Sequence, residues 1–342
     1  MNKLKVGIVG CGRISVVYKD VFKKCQDKIK VCYAVDKVLE RAQDFASDFD
    51  GCAYSDNFED ILDKELDVVH ICTPHHLHKE QVIKCLNAGF NVLTEKPMAI
   101  TLSDADEMIE VANRSGKKFG VIFQNRYIEG VREAKKLIEQ GNLGKIIGAW
   151  SLLTWWRPPS YYECDWKGSW DKEGGGVLID QAIHSIDLVQ HLVGSPVKWI
   201  HGHIDNRVLK NVEVEDVADA AIGFENGCIY SLFATNYYTH NAPIQIEIMG
   251  EKGKVNIKGF DVIIEVEGNS YKVSPSPLTD VEIKGQGYWG SYHYQQITEF
   301  YDCVLNDKPV VVTGEEGRKA LEIVLGVYRS SKENKRMYLP FE

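Results

Sequence analysis

The first 123 residues alternate between short apolar runs and amphipathic segments. Five runs rich in apolar and β-branched residues predict strands buried inside a parallel sheet: LKVGIVG, IKVCYAVD, LDVVHICT, FNVLTE and KKFGVIF. The amphipathic segments between these runs predict helices over residues 14–24, 38–49, 76–88 and 103–115. Repeated β-α-β units of this kind predict a doubly wound α/β domain over residues 1–123.

The pattern changes after this point, where one helical segment (129–140) leads into the long apolar run IIGAWSLLTWW. Several strand-like runs follow, separated by turn sequences that favour hairpins: Glu225-Asn226-Gly227, Gly250-Glu251-Lys252-Gly253 and Gly268-Asn269. Strands joined by turns of a few residues predict a large, mostly antiparallel sheet.

The last part of the chain predicts a long surface loop over 274–290 and two helices over 292–305 and 315–332. Residues 124–342 are therefore expected to form a second domain of the α+β class, which follows the α/β domain.

Composition and charge exclude several classes of protein. The net charge of −9 argues against a nucleic-acid partner, because phosphate binding requires an excess of Lys and Arg on at least one face. No apolar stretch approaches the roughly 18 to 20 residues that span a membrane, and the first residues show no signal-peptide pattern. Nine cysteines without a CxxC pair predict free thiols, and with them a soluble cytoplasmic protein.

A glycine motif lies where the first strand runs into the first helix. The segment VGIVGCGRIS contains Gly10-x-Gly12-x-x-Ser15, a GxGxxG variant with serine in the third position. Gly10 allows a tight turn, and Gly12 lets the backbone approach a pyrophosphate at the helix N-terminus. Asp36 ends the second strand and can bind a ribose, which favours NAD, while Lys37 beside it leaves NADP use open. The motif predicts a Rossmann domain that binds NAD; the alternative is a Rossmann-like domain without cofactor.

The fifth predicted strand ends in Thr94-Glu95-Lys96-Pro97. A lysine at the carboxyl end of a parallel strand lies in the crevice where such folds bind ligands, and a following proline stiffens the turn. Lys96 is therefore a candidate to donate to a reacting oxygen and stabilise its developing charge. A solvated surface lysine is the alternative.

The segment GGGVLIDQAIHSIDL begins at residue 174 and places Asp180, His184 and Asp187 at intervals of four and three. Helical spacing predicts that the three side chains share one face that lines a polar cleft. The intrinsic pKa of an imidazole suits His184 to act as a general base, and Asp180 could orient that imidazole or a substrate hydroxyl.

The same segment has further expected features. The three glycines at 174–176 would let a substrate or the nicotinamide end of a cofactor approach the backbone closely, and three isoleucines are expected to face a core: Ile179, Ile183 and Ile186. Paired or solvated structural residues are the alternative for the polar positions. Asp187 is left outside the catalytic set, because a structural hydrogen-bonding role is equally expected.

Taken together, these motifs resemble the glucose–fructose oxidoreductase / inositol dehydrogenase (Gfo/Idh/MocA) family over nearly the whole chain. The resemblance is carried by the Gly10/Gly12 loop, Thr73-Pro74 with His78, AGFNVLTEKPMA, Gln124-Asn125-Arg126, GGGVLIDQAIHSIDL and HYQQITEF. It implies an N-terminal Rossmann domain and a C-terminal α+β domain whose open sheet forms an oligomer interface. It also implies NAD- or NADP-dependent oxidation or reduction of a secondary carbinol on a sugar, cyclitol or related compound.

The resemblance also implies residue roles. It matches Lys96, Asp180 and His184 to the family's catalytic lysine, aspartate and histidine. The cofactor contacts expected from the motif and the resemblance are Gly10, Gly12, Arg13, Ile14, Asp36, Thr73, Pro74, His75, His78, Glu95 and Lys96. The expected substrate contacts are Lys96, Asn125, Arg126, Trp166, Asp180 and His184. A homodimer or homotetramer is expected by the same analogy.

Two segments leave alternatives open. The three histidines of His75-His76-Leu77-His78 could suggest zinc, but no nearby Cys or carboxylate set completes a tetrahedral site, so no metal is predicted. The aromatic segment 155–173, with Arg157 and Lys167, predicts a substrate loop that accepts an anionic or nucleotide-linked sugar. Aromatic rings buried at a domain or subunit interface are the alternative.

The sequence therefore predicts an NAD-preferring dehydrogenase or reductase of a sugar, cyclitol or sugar derivative. Two rivals remain. One is an enzyme that retains NAD and uses it transiently in elimination or hydrolysis, and the other is a non-catalytic regulator that senses NAD(H).

Overall fold

The computed structural model describes residues 3–275 and 291–341 of the chain. These residues form two compact units. The first contains the described residues of Met1–Gln124 and Leu278–Arg318, and the second contains those of Asn125–Pro277 and Lys319–Glu342.

The first unit is built on a six-stranded sheet in the order β3-β2-β1-β4-β5-β6, with every neighbouring pair parallel. Its strands are β1 (Leu4–Val9), β2 (Ile29–Val35), β3 (Ala53–Ser55), β4 (Val68–Ile71), β5 (Asn91–Thr94) and β6 (Phe119–Val121). The central strands are apolar because both faces of the sheet are covered; Val6 and Ile8 of β1 are completely buried. The predicted doubly wound sheet is confirmed, although the sequence pattern did not reveal the short β3.

The four helices predicted for this unit are present as α1 (Ser15–Lys24), α2 (Leu39–Ala46), α3 (His78–Asn87) and α4 (Leu102–Ser115). Local chemistry sets the ends of α4. The side chain of Thr101 accepts a hydrogen bond from the Asp104 backbone N–H at 3.1 Å. Gly116 then ends the helix in the left-handed region, at φ 66°.

The helix α7 (Ser291–Leu305) belongs to the first unit, whereas the sequence analysis assigned it to the second domain. Gln296 accepts a hydrogen bond from the Phe123 N–H at 3.0 Å and donates to the Val121 carbonyl at 2.8 Å. The buried Tyr301 hydroxyl lies 2.8 Å from Nε2 of His70 on β4. The amphipathic pattern of α7 predicts a helix, but it does not show which sheet that helix covers, so the expected division at residues 123 and 124 omits this return of the chain.

The second unit contains a nine-stranded sheet in the order β14-β13-β12-β11-β7-β10-β9-β8-β15. Its strands are β7 (Ile146–Thr154), β8 (Val197–Asp205), β9 (Val217–Phe224), β10 (Ile229–Thr235), β11 (Gln245–Gly250), β12 (Gly253–Lys258), β13 (Asp261–Val266), β14 (Asn269–Val273) and β15 (Met337–Tyr338). All three predicted hairpins are present, as β9–β10, β11–β12 and β13–β14. The sheet is mostly antiparallel, as predicted, with β7 and β10 paired in parallel.

The faces of this sheet differ in exposure. The α-helices α5 (Glu129–Glu139), α6 (Ile183–Val193) and α8 (Gly314–Glu333) accompany the sheet, and the last of them begins in the first unit. On β10 the buried Tyr230, Leu232 and Ala234 alternate with the exposed Ile229 and Phe233. One face therefore carries the core, and the other is open in the single chain.

Most of the predicted loop over 274–290 lies outside the described residues. Within the part of the chain that the structure describes, no helix is long and apolar enough to cross a membrane.

Candidate active site

The turn between β1 and α1 contains two glycines with different surroundings. Gly10 has φ +97°, and a Cβ there would lie 2.6 Å from the carbonyl of Cys72. Around Gly12, no atom of the described residues lies within 4 Å of the position that a Cβ would take. Ser15 occupies the third motif position, and its hydroxyl donates a hydrogen bond to the Gly12 carbonyl at 2.6 Å. The loop therefore leaves a space beside the N-terminus of α1, where a pyrophosphate fits.

Asp36 is fixed against this loop. Its carboxylate accepts hydrogen bonds from the backbone N–H groups of Cys11, at 2.8 Å, and Val38, at 2.9 Å. These bonds hold the carboxylate at the end of β2, where it can accept hydrogen bonds from a ribose. Arg13 is exposed and Ile14 half-buried in the same turn. Burial raises the pKa of the Cys11 thiol well above its usual range, so this cysteine remains protonated.

The segment after β4 is tied to the segment after β5 by His78. Its Nδ1 lies 2.8 Å from the Pro97 carbonyl, and its Nε2 lies 2.8 Å from the Thr73 carbonyl. Burial lowers the pKa of His78. Both ring nitrogens thus lie beside backbone carbonyls, to one of which the neutral ring donates, and His75 is buried nearby with its ring centroid 6.0 Å away. His78 therefore links the segment after β4 to the segment after β5, and both are candidate cofactor-binding segments.

Glu95 and Lys96 follow β5. The Tyr18 hydroxyl donates to Glu95 Oε1 at 2.8 Å, and Nε2 of His293 on α7 lies 3.7 Å from the same oxygen. Burial acts to raise the pKa of Glu95, but His293, Tyr18 and Lys96 outweigh it and hold this pKa below its usual value. Glu95 is therefore a buried carboxylate directly before the half-buried Lys96.

In the second unit, the glycine-led segment is not an α-helix throughout. Val177–Ala182 is π-helical, and α6 begins only at Ile183. A π-helical turn closes i→i+5 hydrogen bonds, so the predicted four-residue spacing does not stack Asp180 above His184 as it would in an α-helix. The expected core positions Ile179, Ile183 and Ile186 are nevertheless completely buried.

Two of the three glycines before this turn lie against protein atoms, whereas the sequence suggested that a ligand approaches them. A Cβ on Gly175 would meet the Tyr328 hydroxyl, and one on Gly176 would meet the backbone carbonyl of Glu215. The buried Glu215 carboxylate accepts from the N–H groups of Gly176, at 2.8 Å, and Leu178, at 2.9 Å. Burial raises the pKa of Glu215 to about 7, even though these hydrogen bonds lower it. In this unit the two glycines make room for protein atoms, where the sequence suggested a ligand.

Asp180 lies at the centre of a polar cluster. Its Oδ2 accepts hydrogen bonds from the Tyr161 hydroxyl, at 2.6 Å, from Lys167 Nζ, at 2.7 Å, and from the side-chain amide of Gln181. Lys167 also lies 3.1 Å from Oε1 of the buried Glu173. Three side-chain donors therefore bind one oxygen of the candidate catalytic carboxylate.

The other two polar positions of the stripe are placed separately. Asp187 is 1% exposed and accepts from Nε and Nη2 of Arg126, which is 4% exposed, at 2.9 and 2.6 Å. This buried bidentate pair supports the structural role that the sequence left open for Asp187, and it gives Arg126, an expected substrate contact, an internal partner. His184 and Asn125 are both half-buried.

The aromatic segment is used largely within the second unit. Arg157 Nη1 donates to Asn241 Oδ1 at 3.0 Å, and its guanidinium lies 4.8 Å from the Trp155 ring centroid. Lys167 lies 4.3 Å from the ring of the half-buried Trp166. The two cations that the sequence assigned to an anionic substrate are therefore engaged by protein groups.

The structure thus gathers two sets of candidates. The first unit holds the glycine loop, Asp36, Thr73, Pro74, His75, His78, Glu95 and Lys96, and the second holds Asn125, Arg126, Trp166, Asp180 and His184. Sequence reasoning missed the parts played by Tyr161, Glu173 and Glu215. Tyr161 and Glu173 gave a sequence signal only as a hydroxyl and a carboxylate shortly before the glycine-led segment, whereas Glu215 lies 39 residues beyond Gly176 and gave none.

Comparison with known proteins identifies the class. A family model described as an oxidoreductase family with an NAD-binding Rossmann fold matches residues 4–123, and the Gfo/Idh/MocA C-terminal domain matches residues 131–256. The chain is therefore an NAD-binding oxidoreductase. It belongs to the Gfo/Idh/MocA family, which confirms the resemblance drawn from its motifs.

Several relatives match most or all of the chain. The WlbA dehydrogenase from Bordetella pertussis, solved with NADH and UDP-GlcNAcA, is 29% identical with a TM-score of 0.89, over 100% of this chain and 99% of that one. Myo-inositol 2-dehydrogenase from Thermotoga maritima is 26% identical over 98% of both chains. 2,7-Anhydro-N-acetylneuraminate hydratase from Mediterraneibacter gnavus is 32% identical over 76% of this chain and 69% of that protein.

Proposed function

We propose that this oxidoreductase oxidises one secondary carbinol of a sugar or cyclitol derivative through Lys96, Asp180 and His184. The observation that carries the proposal is the presence of these three proton-carrying side chains within the motifs of a family whose cofactor loop is intact here. A sensor of NAD(H) would need the loop but no proton-transfer groups, so the three residues favour an enzyme.

The chain's own residues have distinct tasks in this proposal. NAD, held by the Gly10–Gly12 turn and Asp36, supplies the hydride acceptor. His184 takes the hydroxyl proton, because an imidazole ordinarily titrates near working pH. Lys96 donates a hydrogen bond to the reacting oxygen and stabilises its developing charge. Asp180 accepts from a substrate hydroxyl or the imidazole and so orients the reacting groups.

For the substrate, we propose a nucleotide-linked hexuronate ahead of a free cyclitol. The support is the 29% identity, over the whole chain, to a dehydrogenase solved with UDP-GlcNAcA. Since Arg157 and Lys167 bind protein groups, the phosphates are expected to bind elsewhere.

The test is absorbance at 340 nm with NAD and separately with NADP, across UDP-linked hexuronates, UDP-hexoses, inositols and free sugars. We expect NADH to accumulate with NAD and one UDP-linked hexuronate, with NADP at least about tenfold less effective because Asp36 repels a 2′-phosphate. Turnover of an inositol alone would change the substrate but keep the reaction. A chain that binds NAD and oxidises no member of the panel would contradict the dehydrogenase proposal.

A second candidate reaction is favoured by one comparison. A relative that is 32% identical is named a hydratase, which matches the idea of a retained cofactor used transiently. In that case the purified protein would carry bound NAD, and substrate would be converted without net NADH. Mass spectrometry of the product from the same panel separates the two reactions, since water addition or loss changes the mass by a different amount from loss of two hydrogens.

We also propose that the open face of the nine-stranded sheet binds a second copy of the chain. On this face Ile229 is 51% exposed, Ile263 44% and Phe233 39%. Exposed apolar side chains spread over one open sheet face are typical of a protein interface. A homodimer or homotetramer would cover them.

A further inference from the structure

Lys167 lies in the loop before the glycine-led turn, and its ammonium bridges two carboxylates of the second unit. Its Nζ lies 2.7 Å from Asp180 Oδ2 and 3.1 Å from Glu173 Oε1. The side chains are almost completely removed from solvent, at 10% exposed for Lys167, 9% for Asp180 and 1% for Glu173. One cation thus serves two buried carboxylates, and the trio carries a net charge of −1 when all three groups are ionised.

Further protein groups close this cluster. The Gly168 N–H donates to the second oxygen of Glu173, and the Tyr161 hydroxyl donates to Asp180. The Lys167 ammonium lies over the rings of Trp166 and Tyr161, 4.3 and 4.6 Å from their centroids. These contacts hold the ammonium in one place between the carboxylates.

Stability alone does not explain such a cluster. Taking three charges out of water costs more than one ion pair returns unless the geometry is excellent, and well-packed apolar residues are often as stable as buried ion pairs. The cluster is built on Asp180, which the proposed reaction uses; Lys167 contacts Asp180 directly, and Glu173 shares the Lys167 ammonium with it. A role in controlling Asp180 accounts for this arrangement.

We propose that Lys167 and Glu173 are positioning residues that set the ionisation and orientation of Asp180 in the reaction given above, on which this inference rests. Lys167 holds Asp180 ionised and aims one of its oxygens. Glu173 competes for the same ammonium and limits how strongly Lys167 neutralises Asp180.

The titration behaviour of the cluster agrees with this geometry. Burial, together with the charge of Asp180, raises the pKa of Glu173 against the opposing effect of Lys167. Burial acts to lower the pKa of Lys167, but Asp180, Tyr161 and Glu173 hold it well above its usual value. Lys167 therefore stays charged, while Glu173 loses its proton only as the pH rises above the ordinary carboxyl range.

The remaining titratable groups around the cluster come from several elements. Tyr161 and Tyr162 belong to the turn before the loop, Arg157 lies over the Tyr161 ring, Tyr328 comes from α8, and His184 follows on α6. Burial raises the pKa of Tyr161 to about 12, and the pKa values of Tyr162 and Tyr328 are also raised. Glu215, hydrogen-bonded to Tyr328, is a further carboxyl with a raised pKa.

The experiment compares Lys167→Met, Lys167→Arg, Glu173→Gln and the Met/Gln double variant with the wild-type chain. Two quantities are measured: kcat from pH 5 to 9, and the ¹³C carboxyl shift of Asp180 from the lowest pH at which the chain stays folded up to pH 9, with Asp180→Asn assigning the signal. An opposite charge within a few ångströms lowers a carboxyl pKa by about 1 to 3 units. We therefore expect Lys167→Met to move the Asp180 titration and the acidic limb of kcat upward by at least about one pH unit.

Glu173→Gln should remove the step that the ionisation of Glu173 produces in both curves above the ordinary carboxyl range, because it removes the charge that competes for the ammonium there. The Asp180 titration and the kcat profile of Lys167→Arg should match those of the wild type, and those of the double variant should lie between those of the two single variants. The Kd for NAD should stay within about twofold of the wild-type value in all of these variants. If Lys167→Met does not fold, the loss of the Glu173 step in Glu173→Gln and its retention in Lys167→Arg still decide the question.

An Asp180 titration and a kcat profile that do not move in Glu173→Gln or Lys167→Met would overturn the inference, even if both variants lose thermal stability. Failure of the wild type to turn over any substrate overturns the proposed function instead. In that case the carboxyl titration still decides whether Lys167 and Glu173 control Asp180.

Discussion

At the scale of single residues, Gly10 and Gly12 are glycines for different physical reasons. Gly10 adopts a backbone conformation that L side chains rarely adopt, and a Cβ there would meet the Cys72 backbone. Gly12 has open space where a Cβ would lie, so the protein itself tolerates a larger residue there. We propose that the constraint on Gly12 comes from the cofactor, which would approach this backbone.

Gly12→Ala should therefore leave the fold intact while weakening NAD binding. We expect the melting temperature to stay within about 2 °C, since surface substitutions rarely cost more than about 0.5 kcal/mol, and the Kd for NAD to rise at least about tenfold. Gly10→Ala is the matched control and should destabilise the protein itself, because strain at positive φ costs about 1 to 3 kcal/mol before any clash. Calorimetric titration and thermal melts give both numbers. Unchanged NAD affinity in Gly12→Ala would show that the cofactor does not approach this turn.

The sequence predicted which residues are candidates more often than it predicted the groups that surround them in the fold. Asp36 and Lys96 stand at strand ends, where the topology of a parallel sheet directs side chains toward a ligand. Lys167 lies in a loop, where no comparable topological rule predicts the direction of a side chain. Its aromatic sequence neighbours suggested that it binds an anionic substrate. Only the folded chain shows that its charge is shared by Asp180 and Glu173. Asp187 likewise finds Arg126 across 61 residues of sequence, which no local pattern encodes.

At the scale of elements, strands and hairpins followed from period and turn chemistry, whereas the π-helical turn Val177–Ala182 did not. Hydrophobic spacing in this segment fits an α-helix equally well, because almost every position is buried. The turn instead depends on tertiary contacts: Glu215 binds two of its first N–H groups, and the glycines admit Glu215 and Tyr328. Such contacts are invisible to a local pattern.

The open sheet face gives a prediction at this scale. Phe233→Lys should convert the proposed oligomer to a smaller species, because a buried apolar contact at the centre of an interface carries much of its binding energy. The new lysine lies across from Asp219 on β9, so the sheet itself should be retained. Static light scattering measures the mass and circular dichroism the fold.

Tyr271→Lys is the control for that experiment. Tyr271 is also exposed, at 43%, but it pairs with the completely buried Ile264 and so lies on the opposite face of the sheet from Ile263. Its substitution should leave the mass unchanged. A wild-type chain that is monomeric at micromolar concentration, or equal masses for both variants, would refute the proposed interface.

At the scale of the whole molecule, the order of segments along the chain is not the order of the two units. The first unit is completed by α7, which returns from beyond residue 277 and supplies His293 to the buried carboxylate of Glu95. The sequence predicted the helix α7 and both fold classes, but it did not predict that α7 packs in the first unit. Apolar periodicity shows that one face of a helix is buried, but it does not show which element buries that face. The family assignment, by contrast, rests on motifs spread over both units, and it was available from sequence.

The central claim is that one NAD-dependent oxidation uses Lys96, Asp180 and His184, and its most direct measurement is NADH formation by the wild type and three variants on the best substrate of the panel. For Lys96→Ala, Asp180→Asn and His184→Ala we predict a fall in kcat of at least about a hundredfold, and for Asp180→Asn and His184→Ala a Kd for NAD within about twofold of the wild type. Variants that keep their kcat while still binding NAD would contradict the account, because proton transfer and charge stabilisation would then belong to other residues.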